Sequence, residues 1–333
     1  MELETTSQVA LFKAIRERIP SNLSFVHEVS ELLGISYDSA YRRIRGEKEL
    51  SMDELRKLCH HHSISIDSFF NLGRDSILFH TSSIGDNGIT FASWLENIYE
   101  DMRTIHAAKT KEVVYFAKDI PIFHFFEFPS LFAFKVFFWH KALLPMGSPG
   151  NRFDPAAVTP AMLDLGRKTL AFYNKIPVVE LWNIESYNSI LRQVEFCHVS
   201  GYFTSKEQVG GLLDELEVLI RHMQDQAEKG FRYFRGEAPD GVEGTYRLYL
   251  NEILLGDNTI HVTTDNHKTV YLTYNVINLL KTSDELFCKQ ISDSMQNLRQ
   301  KSIQISSTAA KERNRFFNRL SAEIAGVREN LGN

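Results

Sequence analysis

The stretch Gly34-Ile-Ser-Tyr-Asp-Ser-Ala-Tyr-Arg-Arg-Ile-Arg-Gly46 decides the fold of the N-terminal part of this chain. Gly34 suits the left-handed backbone conformation of a tight turn, and Ser36 is placed to cap the helix that follows. Gly46 then ends that helix. The apolar and aromatic residues of this helix recur at i, i+3, i+4 and i+7. We expect them to form its inward face: Tyr37, Ala40, Tyr41 and Ile44.

Helical patterns continue on both sides of this stretch. A first helix carries Leu11, Ile15 and Ile19 on one stripe and ends at Pro20. The helix before Gly34 has a stripe of its own, formed by Val26, Val29, Ser30 and Leu33. After it, Ser51 and Glu54 have the spacing of a capping box for a fourth helix, whose buried stripe is predicted at Met52, Leu55 and Leu58. A fifth short helix is predicted from the apolar residues Ile64, Ile66, Phe69 and Phe70.

The motif from Gly34 to Gly46, followed by Ser51-x-x-Glu-Leu-x-x-Leu and Ser65-Ile-Asp-Ser-Phe-Phe70, resembles the lambda-repressor-like, Cro-type (Xre) helix-turn-helix family. The resemblance covers residues about 7–72 and depends on the spacing of five elements. The chain has Val26 where the family often has a glutamine, and Arg43 where it has an apolar residue. In this it resembles the BetR-type N-terminal variant of the same superfamily.

The resemblance implies an all-α, five-helix DNA-binding domain over residues 1–74, with the helix 36–45 in the major groove. Asp38, Ser39, Arg42 and Arg43 are predicted to lie on its exposed face and to contact bases, since arginine can bind guanine edges with two hydrogen bonds. The residues expected to contact phosphates, and so to add affinity with little sequence choice, are Ser36, Arg45 and Lys48.

The charge of this region argues for pairs of modules. Residues 1–75 contain ten Lys and Arg against twelve Asp and Glu, and the whole chain has a net charge of −5. A single module of this kind is expected to bind DNA weakly, so we expect a homodimer that reads two half-sites.

The remainder, residues 75–333, reads as a larger α+β domain that is rich in helices, with a possible sub-boundary near 145–155. Helices are predicted near Phe91–Ala107, at Lys206–Lys229 and in the last fifty residues, and residues 155–230 are read as helical throughout. An antiparallel meander is predicted from the strands Tyr246–Leu255, Thr259–Thr264 and Thr269–Tyr274. This domain is expected to sense a small-molecule or protein effector, to hold a dimer, or both.

The aromatic stretch from Ile120 to Trp139 is not expected to span a membrane, because His124, Glu127 and Lys135 are costly at bilayer depth. It is expected to be a buried strand that leads into a core helix. The region 115–139 could line a pocket or fill a core, and the core interpretation is favoured. The chain starts without a signal peptide, so a cytoplasmic protein is expected.

Other patterns indicate no chemistry. The three cysteines are far apart, and His60, His61 and His62 on one helix cannot all face a single ion, so no metal is expected. No phosphate loop or nucleophile motif is found, so no cofactor and no enzymatic activity are expected. The sequence therefore favours a one-component transcriptional regulator. Two alternatives remain open: an enzyme or toxin-like effector autoregulated by the N-terminal module, and a protein-interaction adaptor.

Overall fold

The computed structural model describes residues 6–16, 24–62, 64, 66, 69, 77–82, 90–143, 152–252, 256–265, 267–274 and 277–332. The chain divides into two compact units, Met1–Leu78 and Phe79–Asn333. The predicted sub-boundary near 145–155 falls on a stretch whose residues 144–151 lie outside the described ranges.

The first unit contains four described helices: α1 (Ser7–Arg16), α2 (Phe25–Leu33), α3 (Tyr37–Ile44) and α4 (Met52–His61). They enclose a small core whose most buried side chains include Leu11, Ile15, Val29, Ala40 and Leu58. The predictions for Ile19 and Pro20 and for most of the fifth helix fall outside the described residues.

The second unit combines helices with a mixed sheet. Its helices are α5 (Phe91–Ala107), α6 (Pro129–Leu143), α7 (Pro160–Tyr173), α8 (Ile184–Val199), α9 (Lys206–Lys229), α10 (Glu285–Gln300) and α11 (Ala310–Gly332), with short 3-10 helices at Ile122–Phe125 and Pro155–Ala157. The strands are β1 (His80–Ser82), β2 (Lys111–Phe116), β3 (Val178–Trp182), β4 (Tyr246–Leu250), β5 (Thr259–Thr264), β6 (His267–Tyr274), β7 (Asn278–Thr282) and β8 (Ile303–Gln304).

The eight strands form one sheet in the order β1-β7-β6-β5-β2-β3-β4-β8. Strands β2, β3 and β4 are parallel, and the other pairs are antiparallel. The predicted meander is therefore wrong for its first strand, because β4 pairs with β3 and is separated from β5 by two strands. The run Val178–Trp182 is a central strand that the helical reading of residues 155–230 missed.

Alternate side chains of the central strands point to two different cores. Val113 and Tyr115 of β2 pack into the large core under the helices α5–α9 and α11, while Val114 and Phe116 face α10 with Met295. The aromatic stretch 120–139 belongs to the large core. It contains the 3-10 helix and α6 and no strand, so the strand expected there is wrong. Among the described residues, no helix is both long and apolar enough to cross a membrane.

Glu180 in β3 is fully buried on the side of the sheet that faces the large core. Its carboxylate accepts hydrogen bonds from Tyr173 Oη at 2.7 Å, Trp182 Nε1 at 3.0 Å and Tyr246 Oη at 3.2 Å. Nε2 of His124 lies 2.9 and 3.0 Å from its two oxygens. The cluster thereby joins β3 to β4, to α7 and to the 3-10 helix.

The charge of Glu180 is compensated within this cluster. Burial by itself raises the pKa of the Glu180 carboxyl, but the His124 imidazole, the Arg232 guanidinium and the hydrogen bond from Tyr173 outweigh it, and the pKa is lowered. Arg232 lies over the Tyr173 ring, with its guanidinium carbon 4.0 Å from the ring centroid. The protein therefore keeps a carboxylate in its core by surrounding it with donors.

His222 in α9 is a second polar group of this core. Its Nε2 lies 3.0 Å from the carbonyl oxygen of Tyr233 and 2.9 Å from Nε2 of Gln226. Burial lowers the pKa of the His222 imidazole from 6.5 to about 4, and the nearby His124 adds to the shift. The folded protein thus holds His222 neutral at pH values where the unfolded chain protonates it.

We expect this histidine to make the second unit sensitive to acid. Because the folded pKa is lowered, stability is lost as the pH falls from 6.5 towards 4, and a shift of this size corresponds to about 3 kcal/mol. Over this interval the free energy of unfolding of His222→Gln should fall by about 3 kcal/mol less than that of the wild type. Urea unfolding followed by tryptophan fluorescence measures it, since Trp94, Trp139 and Trp182 are the three tryptophans of the chain and all lie in the second unit.

The matched control is His267→Gln, because His267 is exposed at the start of β6. This variant should follow the wild-type pH profile. Parallel profiles for wild type and His222→Gln would contradict the prediction.

Candidate nucleic-acid interface

The turn between α2 and α3 has three residues, Gly34, Ile35 and Ser36. Gly34 has a φ of +67°, and its N–H donates to the carbonyl oxygen of Glu31 at 3.2 Å. The N–H of Ile35 donates to the carbonyl oxygen of Ser30 at 3.1 Å, and the Ser30 hydroxyl donates to the carbonyl oxygen of Ile35 at 2.7 Å. Glycine is needed here because a Cβ disfavours positive φ. Two helices joined by so short a turn have the connection of a helix-turn-helix unit.

The predicted caps of α3 and α4 are confirmed. The Ser36 hydroxyl accepts from the N–H of Ser39 at 3.3 Å. At the start of α4, the Ser51 hydroxyl accepts from the N–H of Glu54 at 3.2 Å, and the Glu54 carboxylate accepts from the N–H of Ser51 at 2.9 Å. Met52, predicted to be buried beside this cap, is 78% exposed, so that prediction is wrong.

Arg43 does not lie on the exposed face of α3, so the prediction that it contacts bases is withdrawn. The residue is 7% exposed, and its guanidinium donates to Glu54 through Nε at 3.1 Å and through Nη2 at 2.8 Å. Its Nη1 also donates to the carbonyl oxygen of Ser39 at 3.2 Å. Three residues after the buried Ala40, position 43 falls on the same side of the helix. In the Cro-type family this position holds an apolar residue, and that was the signal in the sequence that the Arg43 side chain is buried.

The two tyrosines of α3 are also on the opposite side from the one predicted. Tyr37 is 56% exposed and Tyr41 is 45% exposed, while the inward face is formed by Ala40 and Arg43, with Ile44 half-buried. The predicted inward face is therefore confirmed at Ala40 and wrong at Tyr37 and Tyr41. An aromatic ring with a hydroxyl can be exposed at little cost, and here a charged residue occupies the core position instead.

The exposed face of α3 and of the turn after it presents both aromatic and charged groups. The Arg45 guanidinium carbon lies 5.6 Å from the centroid of the Tyr41 ring, and Arg45 Nε lies 3.3 Å from the Glu47 carboxylate. Ser39 is half-buried at the helix start. We call the following exposed residues the α3 face: Ser36, Tyr37, Asp38, Tyr41, Arg42, Arg45 and Lys48.

Gln8 of α1 holds the connection between α3 and α4 in place. Its amide Nε2 donates to the carbonyl oxygens of Arg43 at 2.7 Å and Lys48 at 2.8 Å, and its Oε1 accepts from the N–H of Leu50 at 3.0 Å. The contacts span 35 to 42 residues of sequence, so no local pattern could have indicated this role.

Two of the three adjacent histidines approach one carboxylate. Oε1 of Glu28 in α2 lies 3.7 Å from Nε2 of His61 and 3.9 Å from Nε2 of His62. The two imidazoles can converge because His62 comes after the last residue of α4, so its side chain does not follow the 100° spacing of helical residues. His60 is not in this group. The sequence missed the cluster since Glu28 is distant along the chain.

Comparison with protein families, curated proteins and solved structures finds no match for this chain. The resemblance to the Cro-type family therefore rests on the motif, and the interface is argued from its own geometry.

We expect loss of the Arg43 side chain to destabilise the first unit and loss of the Arg42 side chain to have little effect on its stability. Arg43→Ala leaves the Glu54 carboxylate without its buried partner, which costs about 3 kcal/mol, whereas an exposed substitution such as Arg42→Ala costs less than about 0.5 kcal/mol. Hydrogen exchange of peptides from α3 and α4, measured by mass spectrometry on the full chain, should lose protection by about 100-fold in Arg43→Ala.

Arg42→Ala is the matched control, because it removes the same side chain one position earlier on the same helix. Equal protection in the two variants would show that the Arg43–Glu54 pair does not hold the unit together.

Proposed function

We propose that this chain is a sequence-specific DNA-binding regulator of transcription, of the one-component type, whose helix α3 enters the major groove. The observation that carries the proposal is the exposed guanidinium of Arg42 on a short helix that follows a three-residue turn. An α-helix fits the major groove of B-DNA, and an exposed arginine there can bind the O6 and N7 atoms of guanine together. The proposal includes the five-helix, all-α fold of residues 1–74.

Roles are assigned to the residues of the α3 face by their exposure, and the half-buried Ser39 keeps its predicted role. Arg42 reads a base, and Asp38 and Ser39 at the helix start are the further predicted base contacts. Tyr37 and Tyr41 replace Arg43 as the large groups of the reading surface, because their rings can pack on thymine methyl groups and their hydroxyls can donate to phosphates.

The phosphate contacts are proposed at Ser36, Arg45 and Lys48. The Arg45–Glu47 ion pair is exposed, with side-chain exposures of 59% and 47%, so water and salt already weaken it and a phosphate can replace the carboxylate.

The charge on this surface supports a dimer. Once Arg43 is buried, the exposed cations between residues 36 and 49 are Arg42, Arg45 and Lys48, and they are balanced by the exposed Asp38, Glu47 and Glu49. One module therefore offers little net attraction to phosphate. We propose that a homodimer supplies two modules, so that a second half-site raises the affinity without new contacts.

The experiment is selection of bound genomic fragments by the full-length protein at low salt, followed by binding titrations on the selected site. Arg42→Ala should weaken binding by about 5- to 150-fold for each half-site, the range for one bidentate base contact, and should relax the preference at one position in each half-site. A palindromic site would support the dimer.

Arg45→Ala should act differently, because a phosphate contact carries no sequence preference. We expect a loss of affinity for all sequences and a slope of log K against log salt that is shallower by about 0.9 for each module. Arg56→Ala is the matched control, since Arg56 is an exposed arginine on α4 outside the α3 face. The absence of any selected sequence, or an equal loss in Arg42→Ala and Arg56→Ala, would overturn the proposal.

A further inference from the structure

A cavity of about 350 Å³ lies in the second unit between α5 and the side of the sheet that faces the large core. From α5 it is lined by Trp94, Ile98 and Met102, which follow one another at helical spacing, and from the sheet by Tyr115 and Ile260. Trp139 of α6 closes it from the side, with its ring centroid 5.7 Å from that of Trp94. The wall is mainly aromatic and aliphatic.

The cavity lies at a place where the topology favours binding. Asp119 lies in the segment that leaves the carboxyl end of β2, and Ser189 and Gln193 lie in α8, the helix that follows the carboxyl end of the parallel strand β3. The crevice outside the carboxyl ends of parallel strands is a common ligand site where the strand order or direction changes. Such a change occurs at β2, since it is parallel to β3 and antiparallel to β5.

The size of the cavity limits the ligand. An apolar cavity of about 150 Å³ can hold one benzene molecule, and ligand pockets begin at about 300 Å³. A cavity of about 350 Å³ therefore has room for roughly two fused or linked aromatic rings with a small substituent.

Three aspartates line the cavity, and each is neutralised by a lysine. Asp101 accepts from Lys281 at 3.0 Å and Asp257 from Lys118 at 2.6 Å. In the third pair, Nζ of the fully buried Lys135 lies 2.5 Å from Oδ2 of Asp119 and 3.0 Å from Oε1 of Gln193. No net charge is therefore left to attract an ion. A charged ligand would lose its hydration without gaining a partner.

The hydroxyl of Tyr115 and Nε1 of Trp94 both belong to the wall and have no protein acceptor among the described residues, and the Trp94 nitrogen is fully covered by its neighbours. Burial, with the carboxylates of Asp119 and Glu180, raises the pKa of this phenol, so it stays protonated. The neighbouring Tyr173, which also lines the cavity, already donates to Glu180. A ligand that displaces water from this hydroxyl leaves it unsatisfied unless the ligand brings an acceptor within reach of Tyr115.

We propose that this cavity is a binding site for an uncharged two-ring aromatic or heteroaromatic molecule with one hydrogen-bond acceptor, which the Tyr115 hydroxyl donates to. All residues of the site belong to the second unit, so the test of this site is independent of the test of DNA binding.

The probe is 6-propionyl-2-(dimethylamino)naphthalene, an uncharged two-ring molecule whose ketone is the acceptor and whose emission shifts to the blue in an apolar site. Titration into the full-length protein should give saturable binding with one site per chain. The absence of saturable binding up to the solubility of the probe would overturn the proposal.

Two variants fill the cavity from opposite walls, Ile98→Trp from α5 and Ile260→Trp from β5. Each should reduce probe binding at least tenfold while the protein stays folded, as judged by far-UV circular dichroism and the melting temperature. Val218→Trp, a partly exposed position on α9 outside the cavity, should leave binding unchanged. Unchanged binding in both filled variants would place the probe elsewhere.

Tyr115→Phe tests the anchor without changing the shape of the cavity. It should weaken binding of the ketone probe about fivefold and leave competition by 2-ethylnaphthalene, which has no acceptor, unchanged. An equal effect on both molecules would reject the hydrogen bond.

Charge is tested by displacement of the probe. 2-Acetylnaphthalene should compete at least tenfold better than 2-naphthoate and 2-naphthylmethylammonium, which carry opposite charges on the same rings. Stronger competition by either ion would overturn the assignment to an uncharged ligand.

Discussion

A carboxylate in the centre of a hydrophobic core organises the second unit. Glu180 lies in the middle strand of the parallel part of the sheet with no exposure to water. An ion in such a place costs several kcal/mol unless its partners are well placed, and here Tyr173, Trp182, Tyr246 and His124 converge on its two oxygens. Because these residues come from β3 itself and from three other elements, the packing of those three elements on β3 is tied to one hydrogen-bonded cluster. A shift of any element would leave a buried polar group without its partner.

The same pairing of a buried charge with a partner is found in both units among the described residues. In the first unit the Arg43 guanidinium is held by Glu54, and in the second the buried Lys135 is held by Asp119. In both cases the pairing has a consequence for the surface beside it. Burial of Arg43 turns Tyr37 and Tyr41 outwards, and pairing of Lys135 leaves the nearby cavity without net charge. The character of both candidate sites thus depends on buried cations, Arg43 and Lys135, and on the carboxylates that pair with them.

Elements with strong local signals are those that the sequence predicted well. The helices α5 and α9 have the bounds Phe91–Ala107 and Lys206–Lys229 in the structure, as predicted, because their apolar residues repeat at helical spacing. Strand β3 had no such signal. All five of its residues are buried, so polar and apolar positions do not alternate, and Glu180 in its middle reads as an exposed residue. Strand β4 was recognised as a strand but assigned to the wrong neighbours, because nothing in a strand's own residues says whether it pairs in parallel or with which partner.

The sequence by itself determined the end of α2 and the starts of α3 and α4, because a glycine with positive φ and the capping hydroxyls of Ser36 and Ser51 act within a few residues of chain. Which side of α3 faces outwards was decided only by the tertiary structure. A hydrophobic pattern assumes that charged side chains seek water, and Arg43 is buried instead because Glu54, eleven residues later, offers it two hydrogen bonds. The cavity between α5 and the sheet was likewise beyond reach of the sequence, since its walls come from residues 94 to 279. An aromatic run such as 120–139 shows only that these side chains avoid water, and the three-dimensional packing decides where they leave a space.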